Sequence, residues 1–151
     1  MAVKKIAMRG TPIEEELYAD ATITPGQLLE VTATGVKRHA TGGGQAYPMF
    51  ALADTFLGNG IDDDYLVGVR TRVGTFPPGS HVWAFIADGE DIAIGDFLES
   101  NGNGDLREEV IDSVTTDVKT NSVVAVAREA IDLSGSAGAD PDSRRCKVMI
   151  V

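Results

Sequence analysis

Apolar and polar positions alternate along most of this chain with a period of two, the spacing of a strand rather than a helix. From Tyr65 to Val73, the residues Tyr65, Val67, Val69, Thr71 and Val73 fall on one side. Leu66, Gly68, Arg70 and Arg72 fall on the other, which predicts a half-buried strand. His81 to Ala87 is apolar on two sides, with Val82, Ala84 and Ile86 in one set and Trp83 and Phe85 in the other. Gln27–Thr32 and Val36–Ala40 read as strands about a Thr34-Gly35 turn. Tyr47–Ala53, Ser122–Ile131 and Cys146–Val151 read as three more, and Pro48 confines the first of these to an edge or a strand start. Thr41-Gly42-Gly43-Gly44, Pro77-Pro78-Gly79 and the stretch 134–143 are turn-formers without periodicity. No long amphipathic helix appears; Glu108–Thr115 has room for one helical turn, against the β preference of Val114, Thr115 and Thr116. The expectation is an all-β fold, a small barrel or sandwich of short strands.

One motif occurs twice. Residues 26–38 read GQLLEVTATGVKR and residues 95–107 read GDFLESNGNGDLR. They match at Gly26/Gly95, Leu29/Leu98, Glu30/Glu99, Gly35/Gly104 and Arg38/Arg107. Each copy precedes a small apolar run, FALAD from Phe50 and VAVAR from Val124. A glycine, a short strand, a glycine-bearing turn and a return strand are the grammar of a β-hairpin, so the repeat predicts a duplicated hairpin unit.

The first twenty residues differ from the rest. Lys4, Lys5 and Arg9 alternate with apolar Val3, Ile6 and Met8, and Glu14, Glu15, Glu16 and Asp20 follow beyond Thr11-Pro12. The expected division is an extended N-terminal arm over 1–20 and one β-rich domain over 21–151. Thr11 and Pro12 also suit the start of a short helix. Three readings of the arm stand: a segment that binds a partner, with Lys4, Lys5, Ile6, Met8 and Arg9 making the contact; a frayed terminus; or strands of the chain's own sheet.

Charge narrows the class of partner. A formal net charge of −10 argues against a nucleic-acid binder, which needs clustered Lys and Arg, and against docking on an anionic membrane. No apolar run reaches the length of a membrane span, and the MAVKKIAMRG start lacks the apolar stretch of a secretory signal. Synthesis in the cytoplasm is expected. Trp83 and Phe85 leave two readings: a self-association surface, or a strand buried on both faces within one chain.

Catalytic and metal chemistry find little to stand on. His39 and His81 are the only histidines and have no second ligand at zinc spacing. Asn101, Asn103 and Asp105 start like a calcium loop, but Leu106 stands where glycine is required. There is no GxSxG, and the lone Cys146 lies in the alternating CKVMIV, as a core thiol would. No catalytic residue, metal or cofactor is expected. The segment GIDDDYLVGV, from Gly60 to Val69, looks like the loop of trimeric dUTP pyrophosphatases. On that resemblance Asp62 or Asp64 would activate water and Tyr65 would exclude ribose. The spacing to Gly68 is off by one, and the family's phosphate-binding segment and glycine-rich C-terminal arm are missing.

A wider likeness covers residues 19–132. ITPGQLLEVTATGVKRHA, AYPMFALAD, the run from GNGIDDDYLVGV to GDFLESNGNGDL, and SVVAVAREAID resemble, in order and spacing, the capsid decoration (cement) proteins of tailed bacteriophages. The first twenty residues and the 134–145 loop depart from that pattern. The resemblance implies a non-enzymatic virion protein on the outer capsid surface, binding the major capsid protein as a homotrimer and resisting the pressure of packaged DNA. Another virion part, a head–tail connector or tail protein, is the alternative.

Overall fold

The computed structural model describes residues 5–109, 122–135 and 144–151. The strands among them are β1 (Ala7–Arg9), β2 (Ile13–Tyr18), β3 (Leu29–Val31), β4 (Val36–Arg38), β5 (Met49–Ala51), β6 (Arg70–Thr75), β7 (His81–Phe85), β8 (Asp91–Ile92), β9 (Phe97–Ser100), β10 (Leu106–Glu108), β11 (Val123–Ala127), β12 (Ile131–Asp132) and β13 (Arg145–Ile150). A six-stranded sheet runs β1-β7-β13-β11-β9-β10, and a three-stranded sheet runs β2-β6-β5. The pairs β3-β4 and β8-β12 are separate ribbons. All strand pairings are antiparallel and the sheets stay open, so the architecture is a sandwich and not a closed barrel.

Two apolar clusters hold the layers together. The larger gathers Val82, Ala84, Cys146, Val148, Ala125 and Leu98 of the six-stranded sheet with Leu28, Phe50, Phe76 and Ile92. Phe50 and Phe76 meet edge to face, with centroids 6.0 Å apart. The smaller joins Ile23, Leu29, Val36, Met49, Tyr65 and Val73.

The repeat is real in three dimensions. Its copies are the β3-β4 and β9-β10 hairpins. Gly26 and Gly95 open them with φ of +97° and +94°, a conformation that favours glycine. The Gly26 N–H donates to the Ala51 carbonyl at 2.8 Å, and the Ala51 N–H to that of Gln27 at 3.1 Å. The second copy repeats this: Gly95 N–H to Ala127 and Ala127 N–H to Asp96, both at 2.9 Å. The runs from Phe50 and Val124 therefore do the same job in each copy.

Residues 5–20 do not stand apart from the 21–151 body. Ile6 is a core residue, and its carbonyl accepts the Trp83 N–H at 2.8 Å. β1 forms the edge of the six-stranded sheet against β7, and β2 forms the edge of the three-stranded sheet against β6. The described part of the arm is thus two edge strands of the chain's own sheets, and Thr11-Pro12 is the crossing between them rather than a helix start. The strand expected over Tyr65–Val73 begins only at Arg70. Gly68 turns the chain there at φ +83°, and Tyr65 makes a single bridge to Ile23. Glu108 closes β10 as a strand residue; most of the helical turn weighed over Glu108–Thr115 lies outside the described residues.

Candidate functional site

The five residues assigned to capsid binding separate. Lys4 lies outside the described residues. Lys5, Met8 and Arg9 are exposed along β1 and its approach, while Ile6 at 2% exposure is committed to the core. Ile6 therefore has no free side chain to offer a partner: it precedes β1, and the register shift between Ala7 and Arg9 lets Met8 face solvent although it stands only two residues on.

Trp83 and Phe85 share one side of β7, opposite the fully buried Val82 and Ala84. Each is only half-buried, for different reasons. Phe85 lies opposite Arg145 in the β7-β13 register, and the guanidinium sits 4.4 Å from its ring centroid. Arg145 is itself buried, donating to the carbonyls of Pro25 and Ile61 and pairing with Asp62 at 2.9 Å. The Phe85 end is thus roofed by the chain's own loops. Trp83 lies opposite Lys147 on the open end of the same face and packs at the margin of the core.

A second exposed surface lies on the β2-β6 side, where the loop before β6 adds to the sheet. Tyr18, Arg70, Arg72 and Phe56 form a row on the outer side of β2-β6. Arg70 stands over the Tyr18 ring at 5.7 Å, and Arg72 over Phe56 at 4.8 Å. Glu16 pairs with Arg70 and Glu14 with Arg72. Beside them Phe56 is 81%, Leu66 64% and Val67 65% exposed. Large apolar side chains left open together are a common feature of protein contact surfaces, and Tyr and Arg are frequent anchors of such contacts. Its sequence signal was the apolar Leu66-Val67, read instead as strand.

The GIDDDYLVGV segment is occupied with holding the fold. Tyr65 is buried and its hydroxyl donates to the Leu52 carbonyl; burial pushes its pKa up to about 12. Asp62 pairs with Arg145, Asp63 accepts from the Gly60 N–H, and Asp64 accepts from the Thr24 hydroxyl. Cys146 is fully buried, and burial, then the neighbouring Glu129 charge, pushes its thiol up to about 12, far from a nucleophile's range. Among the described residues no three of His, Cys, Asp and Glu gather to hold a metal, and no helix is long and apolar enough to cross a membrane.

These features define a β-sandwich in which Asp62, Asp64, Tyr65 and Cys146, the residues weighed for chemistry, are bonded within the fold or buried by it. No family model and no curated protein sequence matches the chain. In fold it is similar to the N base of the head fiber gp8.5 in bacteriophage phi29, with a TM-score of 0.56 and 15% sequence identity over 93% of this chain and 95% of that one.

Proposed function

We propose that this protein is a structural component of a phage head, bound to the outer surface of the capsid through the major capsid protein, where it stabilises the shell, and that it is not an enzyme. The observation that carries the reading is the fold it shares, over nearly its whole length, with the base of a phage head fiber. The ordered likeness of residues 19–132 to capsid decoration proteins points the same way. It favours the head over a connector or tail role. The engagement of Asp62, Asp64 and Tyr65 in internal bonds argues against the pyrophosphatase reading.

Self-association as a homotrimer belongs to the same proposal, but its apolar contact moves. Arg145 already covers Phe85, whereas Phe56, Leu66 and Val67 are open. Light scattering of Leu66→Asp should show a folded monomer where the parent is oligomeric, and Trp83→Ala should leave the oligomer intact.

Cosedimentation tests the main reading. The purified chain should pellet saturably with expanded shells assembled from the major capsid protein of the same genome, and raise their resistance to heat. It should leave dUTP intact with magnesium present. Absence of binding to shells, or turnover of dUTP abolished by Asp62→Asn, would overturn the proposal.

A further inference from the structure

Charge on this molecule is unevenly matched. Among the described residues Lys37, Arg70, Arg72, Arg107, Arg144 and Arg145 each hold a carboxylate within 3.3 Å. Lys5, Arg9, Arg128 and Lys147 hold none, and neither does Arg38, which lies elsewhere in the fold, close enough to Asp105 for its charge to be felt there. Arg9, Arg128 and Lys147 converge on His81, with Lys5 on the approach to β1. Arg9 stands opposite His81 in the β1-β7 register, and Lys147 opposite Trp83 in the β7-β13 register. The Arg128 N–H donates to the Lys147 carbonyl at 2.8 Å, and Lys5 adjoins Ile6, whose carbonyl accepts from Trp83. His81 feels the result: burial first, then the charges of Arg128, Arg9 and Lys147, hold its pKa below the ordinary imidazole value. The neighbouring Glu129 turns its carboxylate to the Lys147 backbone N–H at 2.9 Å. Half-buried Trp83, Met149 and Val126 fill the same side of the sheet.

We propose that this open half of the outer face of the six-stranded sheet, built from Arg9, His81, Trp83, Arg128 and Lys147, docks an acidic protein surface. Arg9, Arg128 and Lys147, cations without carboxylate partners on a chain of net charge −10, form a local field of the opposite sign to the whole. Trp, Met and Arg together are the composition of a protein contact. A nucleic acid fits less well, because a long polyanion would meet the remaining negative surface, and tracking a backbone takes more cations than these. A second copy also fits less well. Within its longest acidic runs Glu14 and Glu16 are engaged by Arg72 and Arg70, and Asp62, Asp63 and Asp64 by Arg145, Gly60 and Thr24. The inference deepens the capsid-binding reading by giving the chemistry of the contact and rests on it for the partner's identity. Its test uses no capsid, so either can fail alone.

Trp83 is the only tryptophan, so its emission reports on this face directly. The full chain is titrated with a synthetic peptide of alternating Glu and Leu, and in parallel with single-stranded oligo-dT of equal charge. The peptide should shift the emission saturably, and raising NaCl from about 50 to about 200 mM should weaken the binding roughly tenfold. Arg9→Glu combined with Lys147→Glu should weaken it at least tenfold, and Lys37→Glu, on β4, should leave it unchanged. Arg128→Glu, at an exposed site beyond β11, repeats the test if the double variant fails to fold. The proposal is overturned if the peptide leaves Trp83 unmoved, if Lys37→Glu costs as much as the face variants, or if oligo-dT binds as tightly. It is also overturned if light scattering shows Lys147→Glu dispersing a self-associated parent, since the face would then hold a second copy.

Discussion

In the first hairpin Glu30 faces Lys37 across the strands at 3.1 Å, with 29% and 41% of the two side chains exposed. In the second, Glu99 faces Arg107 at 3.0 Å, with 1% and 28% exposed. The glutamates hold the same place in the repeat, but the cations do not. The second turn is one residue longer, so Arg107 slides opposite Glu99, whereas its counterpart Arg38 stands opposite Leu29. A one-residue slip exchanges the faces of a strand. Leu106 is therefore buried where Lys37 reaches solvent. Context does the rest: β3-β4 is a two-stranded ribbon, while β9 is flanked by β10 and β11 within six strands. One motif thus yields a solvated pair in one copy and a nearly buried pair in the other. The copies are joined where His39 Nδ1 and Ser100 Oγ share a hydrogen bond of 2.6 Å.

The opening glycines give the largest test of this asymmetry. Both have positive φ, so alanine is strained at either site by about 1–2 kcal/mol. A Cβ on Gly26 would also stand 2.8 Å from the Trp83 carbonyl and 3.2 Å from Arg145 Nε, whereas one on Gly95 would meet nothing within 4 Å. Gly26→Ala should lose about 3–4 kcal/mol, and Gly95→Ala about 1–2 kcal/mol, in urea unfolding. Equal losses would mean that the first copy yields as readily as the second.

Charge deletion comes next. Arg107→Ala leaves Glu99 buried without its partner, and the other oxygen of that carboxylate, Oε2, already finds no hydrogen-bonding group among the described residues. Because Arg107 is partly solvated, the loss should fall just below that of a fully buried pair, at about 2–3 kcal/mol. Lys37→Ala should cost no more than about 0.5 kcal/mol. A Lys37 effect as large as that of Arg107 would break the comparison.

The duplicated hairpins were legible because glycine, turn and strand act locally, and the short core runs after them alternate cleanly. What was not legible depends on residues far apart in the chain. Glu14-Glu15-Glu16 is a poor strand by propensity and becomes one because β6 supplies the ladder and Arg70 and Arg72 the counter-charges. Ile6 looks like one apolar residue in a basic arm until the chain entering β1 carries it into the core, while the irregular register of Ala7–Arg9 leaves Met8 outside. Phe85 looked free because its cover, Arg145, comes from the last strand. The basic face is assembled from β1, β7, β13 and the end of β11, and no window of sequence contains it.

Asp105 offers the smallest and most specific contrast. It begins the return of the second hairpin, where the first copy has Val36, and both are buried. Burial raises the Asp105 pKa above the ordinary carboxyl value, and the charges of Arg144 and Arg38 only partly offset it. A carboxyl whose folded-state pKa is raised binds its proton more tightly folded than unfolded. Its favourable contribution is therefore complete below the unfolded value of 3.8 and is lost as the pH climbs through the folded one. Above that window Asp105 is a net cost, one that its 3.3 Å pair with the half-solvated Arg144 does not cancel. Asp105→Asn keeps the shape and an acceptor for Arg144 while removing the ionisation. Against the parent in urea, the variant should gain stability as the pH is raised from 3 to about 6, and the two should converge at the acid end. A variant that is instead less stable at neutral pH would show that the ion pair with Arg144 outweighs burial, and that the second copy gains from the charge placed where the first has valine.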